Sequence, residues 1–260
     1  MKKTQKEFTA APSEYQMAIA LSESIAAEVG APTFYRERAD DVARSFRLLA
    51  SAKMVKDCIR IVRKRGDMIG HGAIHVQKVA IDAGAIVLIE EKAASDKENL
   101  KRRVLLAQIA AILHDIRRAE KNHAQLGATE AAELLRAFSL TSGECRAICA
   151  AIANHEAFQP SRGLDAPDDQ LLSDALYDAD KFRWGPDNFT ETLWAMIIPR
   201  KIPLEALLNR FLRGLDGVNR IRETFRTETG RHYGPDFIDR GMEIGRKLYT
   251  ALMEQRKETA

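Results

Sequence analysis

Apolar residues along this chain recur mostly at helical spacing, and they crowd most in Val104–Asp115, VLLAQIAAILHD. Leu105, Leu106, Ile109, Ala110, Ile112 and Leu113 point to nearly every side of a helix, the pattern of a helix buried all round. The run ends in His114-Asp115, an imidazole and a carboxylate where a buried helix should carry neither uncompensated. A divalent metal compensates both, because it takes neutral imidazole nitrogen and carboxylate oxygen together.

The same periodicity predicts a frayed tail over 1–11, then a helix over Ser13–Val29 stopped by Gly30. A long helical tract runs from Pro32 to about Arg65. Its basic end, Arg60-Ile-Val-Arg-Lys-Arg65, reads as a solvated face or as a cationic wall for an anionic substrate. Gly66–Gly72, GDMIGHG, breaks the chain, and Ala73–Glu91 is helical with Ile74, Val76, Val79, Ala83 and Ile86 turned inward. His75 lies in its first turns as a ligand candidate, while Gly70 and Gly72 place His71 in a loop beside the site.

Ser95-Asp-Lys-Glu98 fits a capping box for the central helix, whose Lys101, Arg102 and Arg103 read as solvated. The polar stretch Ile116–His123 is long enough to lie over a site. Helices are expected over Thr129–Phe138 and, behind the capping box Thr141-Ser-Gly-Glu144, over Cys145–His155. A surface loop over Gln159–Asp169 leads to a helix at Leu171–Phe182, LLSDALYDADKF. Its late carboxylates, Asp178 and Asp180, oppose the helix dipole, a cost that a bound cation offsets. Asn188–Gln255 continues as helices broken near Pro199–Pro203 and at Gly230–Pro235.

With no repeat or linker, residues 1–260 read as a single all-α domain with a core over about 65–195 and helical additions at 12–65 and 200–257. Hydrophobic residues make up 45% of the chain, enough for a sizeable core, and glycine (15) and proline (8) are sparse, as an all-α chain requires. The net charge of +3 is too small to point to nucleic acid. Cys58, Cys145 and Cys149 form no CxxC pair and read as reduced thiols of a cytoplasmic protein. There is no leader-like apolar run and no 18-residue apolar stretch, so no membrane partner is expected.

The polar residues that end apolar helices form one set: His75, His114-Asp115, His155 and Asp180, with His123 in a loop. Two histidines and two aspartates suit a divalent transition metal such as Mn, Fe, Zn, Ni or Co and leave positions for water. The ordered pattern His75 … His114-Asp115 … Asp180, carried by the words HVQKVA, AAILHDI and ALYDADKF, resembles the HD-domain metal-dependent phosphohydrolases. Asn122-His123 and AIANHE add a resemblance to the bacterial HD hydrolase subgroup. The likeness covers roughly residues 65–195.

This resemblance implies an all-α, HD-domain-like helical bundle with extra helices at both ends. It implies His75, His114, Asp115 and Asp180 as metal ligands, with Asp178 the competitor of Asp180. His123 and His155 would face the substrate phosphate or bind a second metal. Arg117-Arg118 and Arg183-Trp184-Gly185-Pro186 depart from the usual family words, and residues beyond about 200 take no part in the likeness. The expected activity is hydrolysis of a phosphoester in a nucleotide or other small phosphorylated substrate. Asp115 would orient the water and His123 or His155 would protonate the leaving oxygen. Arg117, Arg118, Lys121 and Lys181 are the candidate cations for the phosphate. Three rivals share parts of the pattern: a non-catalytic HD-like nucleotide- or metal-binding signalling module, a metal-free helical interaction protein, and a di-iron HD oxygenase. Assembly into a homo-oligomer is left open.

Overall fold

The computed structural model describes residues 12–65 and 72–259, so the tail at 1–11, the glycine-rich break at 66–71 and His71 lie outside the described residues. The chain forms α1 (Ser13–Val29), α2 (Thr33–Glu37), α3 (Ala39–Ser51), α4 (Lys53–Arg65), α5 (Ala73–Glu90) and α6 (Lys97–Leu113). It continues with α7 (His123–Leu135), α8 (Ser142–Ala153), α9 (Pro167–Phe182), α10 (Leu193–Ile197), α11 (Leu204–Ile221) and α12 (Glu228–Thr259). A π-helical turn, Asn188–Thr192, precedes α10. No strand occurs among the described residues, and none of the described helices is long and apolar enough to cross a membrane.

The expected central helix is α6. Ile109, Ile112 and Leu113 are fully buried, and α5, α8, α9 and α4 pack around it. Truncating any one of these side chains to alanine would cost about 2–5 kcal/mol in lost burial and cavity formation. Helices α3 and α5 approach closely at Gly84, where an added Cβ would stand 2.3 Å from Ser45 Oγ. A buried polar clasp spans that contact: Ser45 Oγ donates to the Ile81 carbonyl at 2.7 Å, and Gln108 Nε2 donates to the Ser45 carbonyl at 2.9 Å.

The two terminal additions meet behind α9. Phe34 of α2 is fully buried and packs against Phe182, Tyr233 and Phe237. Buried Arg183 donates to Asp82 of α5, to the Tyr35 hydroxyl and, at 2.6 Å, to Asp187. The guanidinium thus ties α2, α5 and the segment after α9 into one charged knot, which offsets the burial of its carboxylates.

Several local expectations are corrected. The tract from Pro32 to Arg65 is three helices, broken at Arg38 and at Ala52, whose backbone is extended. Arg38 leaves the helix to donate Nε to the Tyr233 hydroxyl at 3.0 Å, a tertiary contact without a sequence signal. The cap of α6 is Asp96, which accepts from the Asn99 N–H, rather than Ser95. Arg102 and Arg103 are paired, with Glu144 and with Glu91 and Asp168 respectively. Ile74 is exposed. His123 opens α7 instead of lying in a loop, and that helix starts earlier than expected. Gly230–Pro235 breaks nothing, since α12 runs through Pro235 and the chain turns earlier, at residues 222–227. Those glycines serve close packing: a Cβ on Gly230 would overlap the Asp178 carboxylate, and one on Gly234 the Phe225 ring. The capping box at Thr141 and Glu144 forms as expected.

Candidate metal centre

Helix ends from five elements meet at one point. His75 comes from the first turns of α5, His114-Asp115 from just beyond α6, and His123 from the start of α7. His155 follows α8 and Asp180 stands in the last turn of α9. Three of these are helix C-termini, whose unpaired carbonyls carry partial negative charge, so backbone and carboxylates alike favour a cation here.

Asp115 and Asp180 hold the histidines in a chain. Asp180 Oδ1 lies 3.4 Å from His75 Nε2 and 3.6 Å from His114 Nε2. Asp115 Oδ2 lies 3.2 Å from His114 Nε2, while its Oδ1 lies 3.4 Å from His155 Nε2 and 3.7 Å from His123 Nε2. Donors that share one ion at roughly 2.1 Å stand about 3.0–3.4 Å apart, so these separations suit ligands of a small divalent cation. Two overlapping donor groups lie within 4.8 Å: His75, His114 and Asp180, and His114, Asp115 and His155.

The tautomers also suit a metal. His114 Nδ1 stands 2.7 Å from the Ala111 carbonyl, and His155 Nδ1 stands 2.6 Å from the Ile152 carbonyl. A carbonyl only accepts, so both rings donate from Nδ1 and turn Nε2 into the cluster, the nitrogen that a cation would take in place of a proton. Neither Nε2 has a hydrogen-bond partner among the described residues, although both are buried. A cation satisfies both, and the residues present fit one.

The electrostatics show the same demand. Burial works against the His114 imidazolium, yet Asp115 and Asp180 outweigh it and raise the pKa to about 10. Burial also disfavours the Asp180 carboxylate, but Lys181, His114 and His75 hold its pKa well below the usual range. His123 goes the other way: burial, with help from His155 and Arg118, lowers it to about 4 against the pull of Asp115. Arg118 Nη1 donates to His123 Nε2 at 2.9 Å, which fixes His123 as a neutral acceptor.

The cluster forms one end of a cavity of about 540 Å³. Arg118 and Lys181 line it, although Lys181 is already engaged, donating to Asp180 Oδ2 at 2.5 Å and to the His155 carbonyl at 2.9 Å. Arg117 and Lys121 are not among the residues lining the cavity. Arg117 pairs with Glu120 and Glu130, and Lys121 is exposed. Asp178 is also elsewhere: it accepts from the Arg226 and Thr227 N–H groups and the Thr227 hydroxyl, each at 2.8 Å. Burial pushes its pKa up to about 6.

Sequence reasoning missed the rest of the wall. Trp184 and Phe189, late in the expected core, and Met196, Phe211 and Leu215, beyond it, line the cavity, and the sequence signal for the last two is a helical stripe over Leu207, Phe211 and Val218. Phe158 stands at the cavity with φ 63°, a strained conformation for a bulky residue, and the Arg220 guanidinium lies 4.4 Å from its ring centroid.

No curated protein and no solved structure matches the chain. Residues 72–185 match the family model of the HD domain, which is consistent with the HD-domain metal-dependent phosphohydrolase superfamily.

Proposed function

We infer that this chain is a metal-dependent phosphohydrolase that cleaves a small phosphoester, RO–PO₃²⁻ + H₂O → ROH + HPO₄²⁻. The observation that carries the reading is the convergence of His75, His114, Asp115 and Asp180 at one end of a cavity that also presents Arg118. These four residues would hold a divalent transition ion. Such an ion, when bound, supplies a water of lowered pKa and an electrophile for a phosphoryl oxygen.

The chain's own residues supply the remaining parts. Asp115 orients the attacking water through its buried carboxylate. Arg118, whose Nη1 already donates to His123, sets its guanidinium beside the cavity as the donor to the phosphate. Lys181 is a positioning residue: its ammonium holds Asp180 in place. His155 stands on the far side of Asp115 and offers the proton for the leaving oxygen, whereas His123, a neutral acceptor from Arg118, positions that guanidinium.

A two-ion form of the same centre has a specific observation in its favour. The two oxygens of Asp115 face different histidines, His114 on one side and His155 on the other, as a bridging carboxylate requires. In that form His155 becomes a ligand. A di-iron oxygenase shares this donor arrangement and is separated by its consumption of O₂.

The test pairs elemental analysis with phosphate release in added Mn²⁺, for the wild type and Asp115→Ala, with circular dichroism to monitor the fold. The expected result is one or two ions per chain and phosphate release in the wild type, with both lost in a folded variant. A variant that keeps stoichiometric metal, or a wild type that binds none after reconstitution, overturns the reading.

A further inference from the structure

The cavity divides into two chemistries, and the division falls at the end of the matched HD segment, residue 185. Before it, the walls are mainly polar: Asp115, Arg118, His123, His155, Asp180 and Lys181. Beyond it, the walls are apolar apart from Asn188, Thr192 and Arg210. Phe189, Leu193 and Met196 come from the π-helical turn and α10, and Leu207, Phe211 and Leu215 from α11.

Helix α11 presents a single stripe to this space. Leu207, Phe211, Gly214 and Val218 are spaced by four, three and four, which puts them on one helical face, and all four line the cavity. At Gly214 the stripe is notched. A Cβ there would meet nothing within 4 Å, whereas a Cβ on Gly245 of α12 would collide with Leu215 and Phe189. Gly214 lines the cavity and is exposed, so the notch opens where the cavity meets solvent. A phosphate needs none of that space. A cavity of about 540 Å³ is of the size that holds a whole small organic ligand, about 300–1,000 Å³.

We propose that the substrate is an amphiphilic phosphoester, with its phosphate at the Arg118 end and an aromatic or aliphatic body seated against α10 and α11 in the space left by Gly214. The inference rests on the phosphohydrolase reading and names its substrate class: the segment beyond the HD match selects esters of apolar alcohols over sugar phosphates. Each methylene seated in such a wall is worth about tenfold or more in discrimination.

Calorimetric titration of the Mn²⁺-loaded full chain with 1-naphthylmethylphosphonate and with methylphosphonate tests this without turnover. The naphthyl compound is expected to bind at least about 100-fold tighter, the worth of two methylenes or more on an apolar wall. Gly214→Trp is the diagnostic variant. It fills the notch without touching the core and replaces a helix-interior glycine by a better helix former. The expected result is loss of most of the naphthyl preference, with circular dichroism unchanged. Equal binding of the two phosphonates overturns the proposal and leaves the phosphohydrolase reading standing. A naphthyl preference that survives in Gly214→Trp overturns the placement against α11. If neither phosphonate binds a chain that holds its metal, the phosphoester reading itself fails, and the proposal with it.

Discussion

His114 and His155 are built alike: each donates Nδ1–H to the carbonyl three residues earlier and turns Nε2 toward Asp115, with ring centroids 4.9 Å apart. The backbone of the preceding helix sets each ring, so ligand geometry is a by-product of helix ends. The two histidines are nevertheless unequal, because His114 belongs to both donor groups and His155 to one.

That inequality predicts the first outcome. His114→Ala should bind no ion tightly, with affinity reduced by more than about 100-fold, since changes to residues that only support a ligand already cost 10–100-fold. His155→Ala should keep one ion per chain. Elemental analysis after gel filtration reads both, and stoichiometric metal in His114→Ala would contradict the donor assignment.

Asp178 and Asp180 separate in the same way. Asp180→Asn should lose metal and also cost about 3–5 kcal/mol, because it leaves the buried Lys181 ammonium without its carboxylate. Asp178→Ala should lose about 2–4 kcal/mol, because it orphans the Arg226 and Thr227 donors beside Gly230, while metal per folded chain is retained. Urea unfolding and metal analysis on both variants check this, and the reverse pattern would exchange their roles.

Arg118 and Arg117 are neighbours with different surroundings. Arg118→Ala should raise KM for an anionic ester by about 10–100-fold, the worth of one charge-assisted hydrogen bond, while Arg117→Ala should change it less than about twofold. Arg117 is engaged with Glu120 and Glu130 and does not line the cavity. Unchanged kinetics in Arg118→Ala would remove it from the phosphate site.

The pair Arg102–Glu144 predicts a pH dependence away from the site. Hydrogen bonding to Arg102 lowers the Glu144 pKa from 4.5 to about 2, and the same carboxylate closes the capping box of α8. A depressed carboxylate stabilises the fold fully above its unfolded value and loses that stabilisation as pH falls through its folded value. Arg102→Ala should therefore cost about 1–2 kcal/mol at pH 7, after screening of a partly exposed pair. The difference from wild type should shrink between pH 4.5 and about 2. A difference that stays constant over that range would assign the loss to packing alone.

The sequence by itself determined what neighbours along the chain decide. Periodicity marked α6, because a helix buried all round is apolar all round. Local oxygen chemistry marked the Thr141 cap, and the His114-Asp115 doublet stood out because polar groups rarely end such a helix. The order of ligands was legible for the same reason, since each sits at the end of an apolar run. Tertiary structure decided everything that depends on residues remote in sequence. Asp178 and Asp180 share a helix but point apart, so only the placement of α9 selects between them. Arg38 breaks a helical tract to reach Tyr233, 195 residues away, and Gly230 admits the Asp178 side chain instead of ending a helix. The apolar half of the cavity was silent for a related reason. An inward apolar stripe looks the same whether it meets core or an open cavity, and only the packing of α11 leaves Gly214 facing space.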